Sequence, residues 1–136
     1  MLLRLIVLLL SAQFVLGIWV NLYGRFPRTD DVVTAVQYGG DPVLTAHYAL
    51  AVAAVVLAAV IVAVAFRSDS RRSLRWMTVG GLLSVLWASA AGLQFVLSGF
   101  SNGDASFSMA LAFIVAMIFY GVAQARVLPG HPGGAA

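Results

Sequence analysis

Apolar residues run almost unbroken through four stretches of the chain, 5–23, 43–66, 76–99 and 106–124, and polar residues collect between them. Each stretch approaches or exceeds the roughly 20 residues that carry a helix across a bilayer's hydrocarbon layer. Lipid offers no partner to a backbone N–H or C=O, so a spanning segment of this length satisfies its own groups as a helix. The pattern predicts an all-α, integral membrane four-helix bundle forming one domain over residues 1–127. The closing "PGHPGGAA" is low in order-promoting residues and reads as a disordered tail, 128–136.

The opening "MLLRLIVLLLSA" also has the basic start and apolar centre of a cleavable secretion signal, with Ala12 before the cut. Its apolar run continues through "QFVLGIWVNLY", and Leu10 stands where a small residue is wanted, which favours a retained span.

The first connection, 24–42, is too long for a simple turn. In "TDDVVTAVQYGG", Thr29 can cap a helix, Asp30 and Asp31 fall in its first turn, and Gly39 stops it. Val32, Val33 and Val36 share one face, so this segment is expected to lie on the membrane as a short surface helix.

Composition agrees with a lipid setting: 62% of the 136 residues are hydrophobic, 10% are charged, and mean hydropathy is +0.98. All basic residues are Arg; Lys, Glu and Cys are absent. Without Cys there is no disulfide, thiolate metal site or iron–sulfur cluster. Arg67, Arg71, Arg72 and Arg75 crowd the second connection, and Arg4 and Arg126 flank the termini. Their bias places both termini and that connection in the cytoplasm (N-in/C-in), with 24–42 and 100–105 outside. The cluster reads as a topology signal and a contact for anionic lipid rather than for nucleic acid. The Arg-only, Ala/Val/Gly-rich composition suggests the inner membrane of a bacterium with a GC-rich genome.

Small residues recur every four positions: Gly80, Ser84, Ala88 and Gly92 in the third span, Ala112 and Ala116 in the fourth, Ala54 and Ala58 in the second. Such stripes let helices approach closely. Trp19, Tyr23 and Tyr48 are expected as anchors at the outer boundary, Trp76 and Tyr120 at the inner one. Trp87 falls mid-span and is expected to pack between helices.

The chain also echoes itself. Placing Gln13 on Gln94 brings Asn21 onto Asn102, "QFVL" is identical in both places, and "HYALAVAAV" at 47–55 falls on "SMALAFIVA" at 108–116. The bundle is therefore expected to hold two similar helical hairpins, related by a parallel pseudo-twofold axis along the membrane normal.

His47 is the one histidine in a span, about a turn inside the outer boundary. Three readings stand: a hydrogen-bonded or interfacial histidine, a haem ligand through a neutral ring nitrogen, and a group for proton or quinone chemistry. Asn21 lies at similar depth and can reach it; Gln13, about two turns deeper, is expected to fall short. Gln13 and Gln94 either bond the first and third helices together or line a cavity. Asn21 and Asn102 read as helix C-caps before Gly24 and Gly103.

"QFVLG" at 13–17 and "LTAHYALA" at 44–51, separated by a long outer loop, resemble a helix pair of the haem A synthase family. That resemblance implies a four-helix unit in which His47 matches an axial haem position, with Gln13 and Gly17 as supporting motif positions. It implies haem b as cofactor and electron transfer or haem handling as function. The chain departs from the family at Ser108, where a second histidine is expected, and it lacks the family's glutamate and cysteine pair. Ligation is then left to His47 alone, to His47 with Met109, or to two copies each giving His47 in a homodimer. Gln13, Asn21, Gln94, Asn102 and Ser108 are the candidate polar lining.

Two other functions compete with a haem or quinone protein. One is a non-catalytic accessory, assembly or structural subunit, in a homo-oligomer or larger membrane complex, since every motif also has a packing explanation. The other is a transporter or channel, disfavoured by spans almost free of charge. Hydrolase, zinc and nucleotide chemistry lack the residues they need, and no reading calls for a catalytic residue.

Overall fold

The computed structural model describes residues 1–23, 26, 42–68 and 71–127; the surface helix expected near 29–39 and the expected disordered tail lie outside these residues. Among the described residues four helices form: α1 (Leu2–Tyr23), α2 (Pro42–Arg67), α3 (Arg72–Leu97) and α4 (Gly103–Val127). All four are long and apolar enough to cross a membrane. At 1.5 Å per residue the three longer ones measure about 38–39 Å and overrun a hydrocarbon layer of about 30 Å. That overrun is why α3 begins at Arg72, four residues before the apolar stretch itself.

Each helix packs against two others. α1 meets α2 and α4, α3 meets α2 and α4, and the α3–α4 seam is the most extensive. The helices thus stand in a square with α1 diagonal to α3. The distal end carries the α1–α2 and α3–α4 connections; the proximal end carries both termini and the α2–α3 turn. Arg4, Arg67, Arg71, Arg72 and Arg126 are all exposed at the proximal end, while Arg75 is partly withdrawn. Its Nη2 donates to the Ser68 carbonyl at 3.1 Å, and its guanidinium lies over Phe66.

The core joins Ile6 and Leu10 of α1, Ala54, Ala58 and Ile61 of α2, Val85 of α3, and Ala116 and Tyr120 of α4. The expected small-residue faces are inside: Ala54, Ala58, Ser84, Ala88, Ala112 and Ala116 are buried. Gly80 and Gly92 of the α3 stripe lie against the Phe119 ring and the Met109 sulfur. Serines within the spans satisfy themselves. Ser11, Ser84 and Ser89 each donate to the carbonyl four residues back, a bond that asks nothing of a neighbouring helix.

Two aromatic expectations fail. Tyr120 is fully buried rather than an anchor at the boundary. It follows Ala112 and Ala116 at four-residue spacing on the core face of α4, and its ring enters the space left by Gly81, where a Cβ would stand 2.6 Å from Cζ. Trp87 is not packed between helices: it is 48% exposed, and its indole N–H donates to Ser108 Oγ at 3.1 Å.

The α3–α4 turn corrects a third. Asn102 does not close α3; it opens α4, its Oδ1 accepting from the Ala105 N–H at 3.1 Å. α3 ends earlier, in a Schellman motif in which the Phe100 N–H bonds the Phe95 carbonyl and the Gly99 N–H bonds the Val96 carbonyl. Gly99 takes φ +65°, as this motif asks of a residue without Cβ. Phe100 also sits at φ +62°, a strained setting for a bulky side chain. The other supposed C-cap, Asn21, lies within α1 and is exposed.

Candidate functional site

The expected depth relation between the first two helices is wrong in one respect that decides the site. Gln13 lies ten residues before the distal end of α1, and His47 five residues after the distal start of α2. For the two to meet, α1 must overshoot α2 by about 7–8 Å. It does. The Gln13 amide nitrogen stands 3.4 Å from His47 Nε2, while Asn21, expected to bond the imidazole, is exposed beyond it. Level helix ends would hold the two side chains about five residues apart in depth, and the stagger closes that gap.

Gly17, one turn beyond Gln13 on the same face of α1, completes the contact. A Cβ there would come 3.2 Å from His47 Cε1, so the absent side chain is what lets the ring lie against the α1 backbone. Gln13 is 5% exposed and His47 partly buried. With the Gln13 N–H donating to Nε2, the ring's proton stands on Nδ1, which has no partner; Gln13 Oε1 has none either. Tyr48, next along α2 with its ring centre 6.5 Å from that of His47, holds a third unpartnered buried atom, its hydroxyl. Three of the six such atoms among the described residues therefore fall at this one place; the others are Arg75 Nε, Tyr120 Oη and Gln124 Oε1.

The remaining candidates are elsewhere. Ser108, at the position of a second axial histidine, accepts from Trp87. Met109 lies with its sulfur against Gly92 of α3, whereas His47 faces α1. Gln94 is exposed on α3, diagonal to the buried Gln13, so the two amides do not meet as a pair. Asn102 is used as the α4 cap. Among the described residues no three of His, Cys, Asp and Glu gather as a metal-holding group. What sequence reasoning missed was the Gln13–His47 contact itself. Its one available signal was Gly17, four residues from Gln13 and therefore on the same helical face.

The fold and this contact define a class: a four-helix bundle whose helices are all apolar enough to span a membrane, with one interhelical His–Gln contact. No family model matches the chain, and no curated protein or solved structure matches it.

Proposed function

We propose that this chain is a non-catalytic membrane protein, an accessory or structural subunit held by small-residue helix packing, in which Gln13, Gly17 and His47 clasp α1 to α2. The observation that carries this reading is the seating of His47: one ring nitrogen faces Gln13 and one ring edge lies on Gly17. An interhelical polar contact of this kind contributes about 0.6 kcal/mol in a membrane, enough to set register without chemistry. The two hairpins descend from a duplicated pair, a reading supported by the sequence echo: "QFVL" recurs at 13–16 and 94–97, and "HYALAVAAV" falls on "SMALAFIVA". Both termini are cytoplasmic in a bacterial inner membrane, and the exposed Arg67, Arg71 and Arg72, with Arg75 behind them, meet anionic lipid there.

A second reading, cofactor binding at His47, is favoured by one observation: His47 Nδ1, Gln13 Oε1 and the hydroxyl of neighbouring Tyr48 are all buried without a partner. The donor set of one chain does not fit a two-ligand haem b. Met109 and Ser108 are engaged with α3, and the His47 nitrogen Nε2 is met by Gln13. Haem would need His47 alone or His47 from each of two copies; a quinone would need only the hydrogen-bonding groups.

An absorption spectrum of protein purified after expression with haem supplied separates the first reading from the haem form of the second, and organic extraction of the same protein with quinone analysis separates it from the quinone form. The first predicts no Soret band, and an unchanged elution volume for His47→Leu. A Soret band that His47→Leu removes would replace it with the second.

A further inference from the structure

At the distal end, away from His47, α1, α3 and α4 enclose an open cleft of about 540 Å³. Phe26, Phe95, Phe100 and Phe107 supply its aromatic walls, while Asn21, Ser101 and Ser106 add polar edges. Among the described residues no charged side chain lines it. The rings are organised: Phe26 stacks on Phe100 at 4.8 Å and meets Phe95 edge-on at 5.7 Å, and Phe95 and Phe100 meet edge-on at 5.6 Å. Helix termination explains φ +65° at Gly99; it does not require a second positive φ at Phe100. Strain of this sort persists where the surroundings hold a residue in place. Here the strained residue is one whose ring meets both of the others in the wall.

We propose that this cleft binds a neutral aromatic amphiphile, its ring against the Phe wall and its hydroxyl or carbonyl toward Asn21 and Ser106. The volume falls in the range of small-molecule sites, and a few polar groups in an aromatic lining are what orients such a ligand. Among the described lining residues an anion or cation would find no counter-charge, whereas a neutral ring meets Phe26, Phe95, Phe100 and Phe107. A purely aliphatic chain would leave the polar edge unpaired, at a cost the same chain avoids in the lipid. Offset and edge-on ring contacts add attraction beyond burial, which selects a ring over an alkyl chain. The cleft stands at the helix ends, where an amphiphile in the leaflet can enter with its polar group leading.

Photolabelling of the full chain in nanodiscs tests this, with 4-(hydroxymethyl)benzophenone as probe and adducts mapped by mass spectrometry. Labelling is expected to concentrate on residues 95–110 and on Asn21 and Phe26, to saturate, and to be displaced by excess menadione. Ala110→Trp fills the cleft from an exposed wall position on α4 and should lower that labelling at least tenfold, as should Phe95→Leu. His47→Leu should leave it unchanged, which separates this site from the cofactor reading. Adducts spread over all lipid-facing helices, or equal labelling of Ala110→Trp in protein whose circular dichroism matches the parent, would overturn the proposal.

Discussion

Replacing Gly81 by alanine should destabilise the bundle more than any other single methyl added to it. A Cβ at Gly81 would stand 2.6, 2.7 and 2.9 Å from three atoms of the Tyr120 ring, roughly 1 Å inside ordinary carbon contact. The ring is fully buried within the core cluster that also holds Ile6, Leu10, Ala54, Ala58 and Ile61, which leaves it little room to swing. Overpacking of this kind costs about 1–3 kcal/mol, and three simultaneous contacts put it near the upper figure. Alanine's better helix propensity returns about 1 kcal/mol. The net is about 2 kcal/mol, or roughly 30-fold in the unfolding equilibrium. Gly80→Ala is the control: its Cβ comes equally close, 2.7 Å, to Phe119, but that side chain is only partly buried and can turn toward lipid. It should cost under about 1 kcal/mol. Unfolding titrations in mixed micelles measure both, and the double variant Gly81→Ala with Tyr120→Leu should recover at least half of the loss. Equal stability of Gly80→Ala and Gly81→Ala would refute the reasoning, because the difference rests wholly on Tyr120 being locked in the core.

Tyr120→Phe should leave stability unchanged or raise it by up to about 1 kcal/mol in the same titration, because it deletes a buried hydroxyl that has no partner. Asn102→Ala should cost about 1 kcal/mol and fray the first turn of α4, seen as faster amide exchange at Ala105. Gln13→Leu should cost about 0.6–1 kcal/mol by leaving His47 Nε2 unmet, and adding His47→Leu should recover most of it, since an apolar pair replaces both partners. A double variant weaker than either single one would count against the clasp.

Helix number and approximate limits were legible because hydropathy over a span measures the same cost that lipid imposes. The stripes at Ala54/Ala58 and Ala112/Ala116 were legible too, since close approach needs small residues whatever the surroundings. Which way each large apolar residue points was not. Both lipid and core are apolar, so Tyr120 and Trp87 carry no burial signal in their own chemistry; only the register of Tyr120 with Ala112 and Ala116, and the gap at Gly81, tells its side. The Gln13–His47 contact stayed hidden for another reason. It depends on how far α1 slides past α2, a relation set by packing rather than by either helix's composition. Asn102 was misassigned because an Asn–Gly pair suits a helix stop as well as a start, and the five residues from Ser98 to Asn102 leave room for either.

The account depends most directly on alternate crossing, with the termini and the α2–α3 turn on one side and the α3–α4 turn on the other. The natural absence of cysteine makes this simple to measure. Single variants Ser68→Cys and Ser101→Cys, at exposed positions in the two turns, would be treated in intact cells with a membrane-impermeant maleimide. Labelling of position 101 at once, and of position 68 only after permeabilisation, is the expected result; labelling of both from the same side would contradict a four-span bundle.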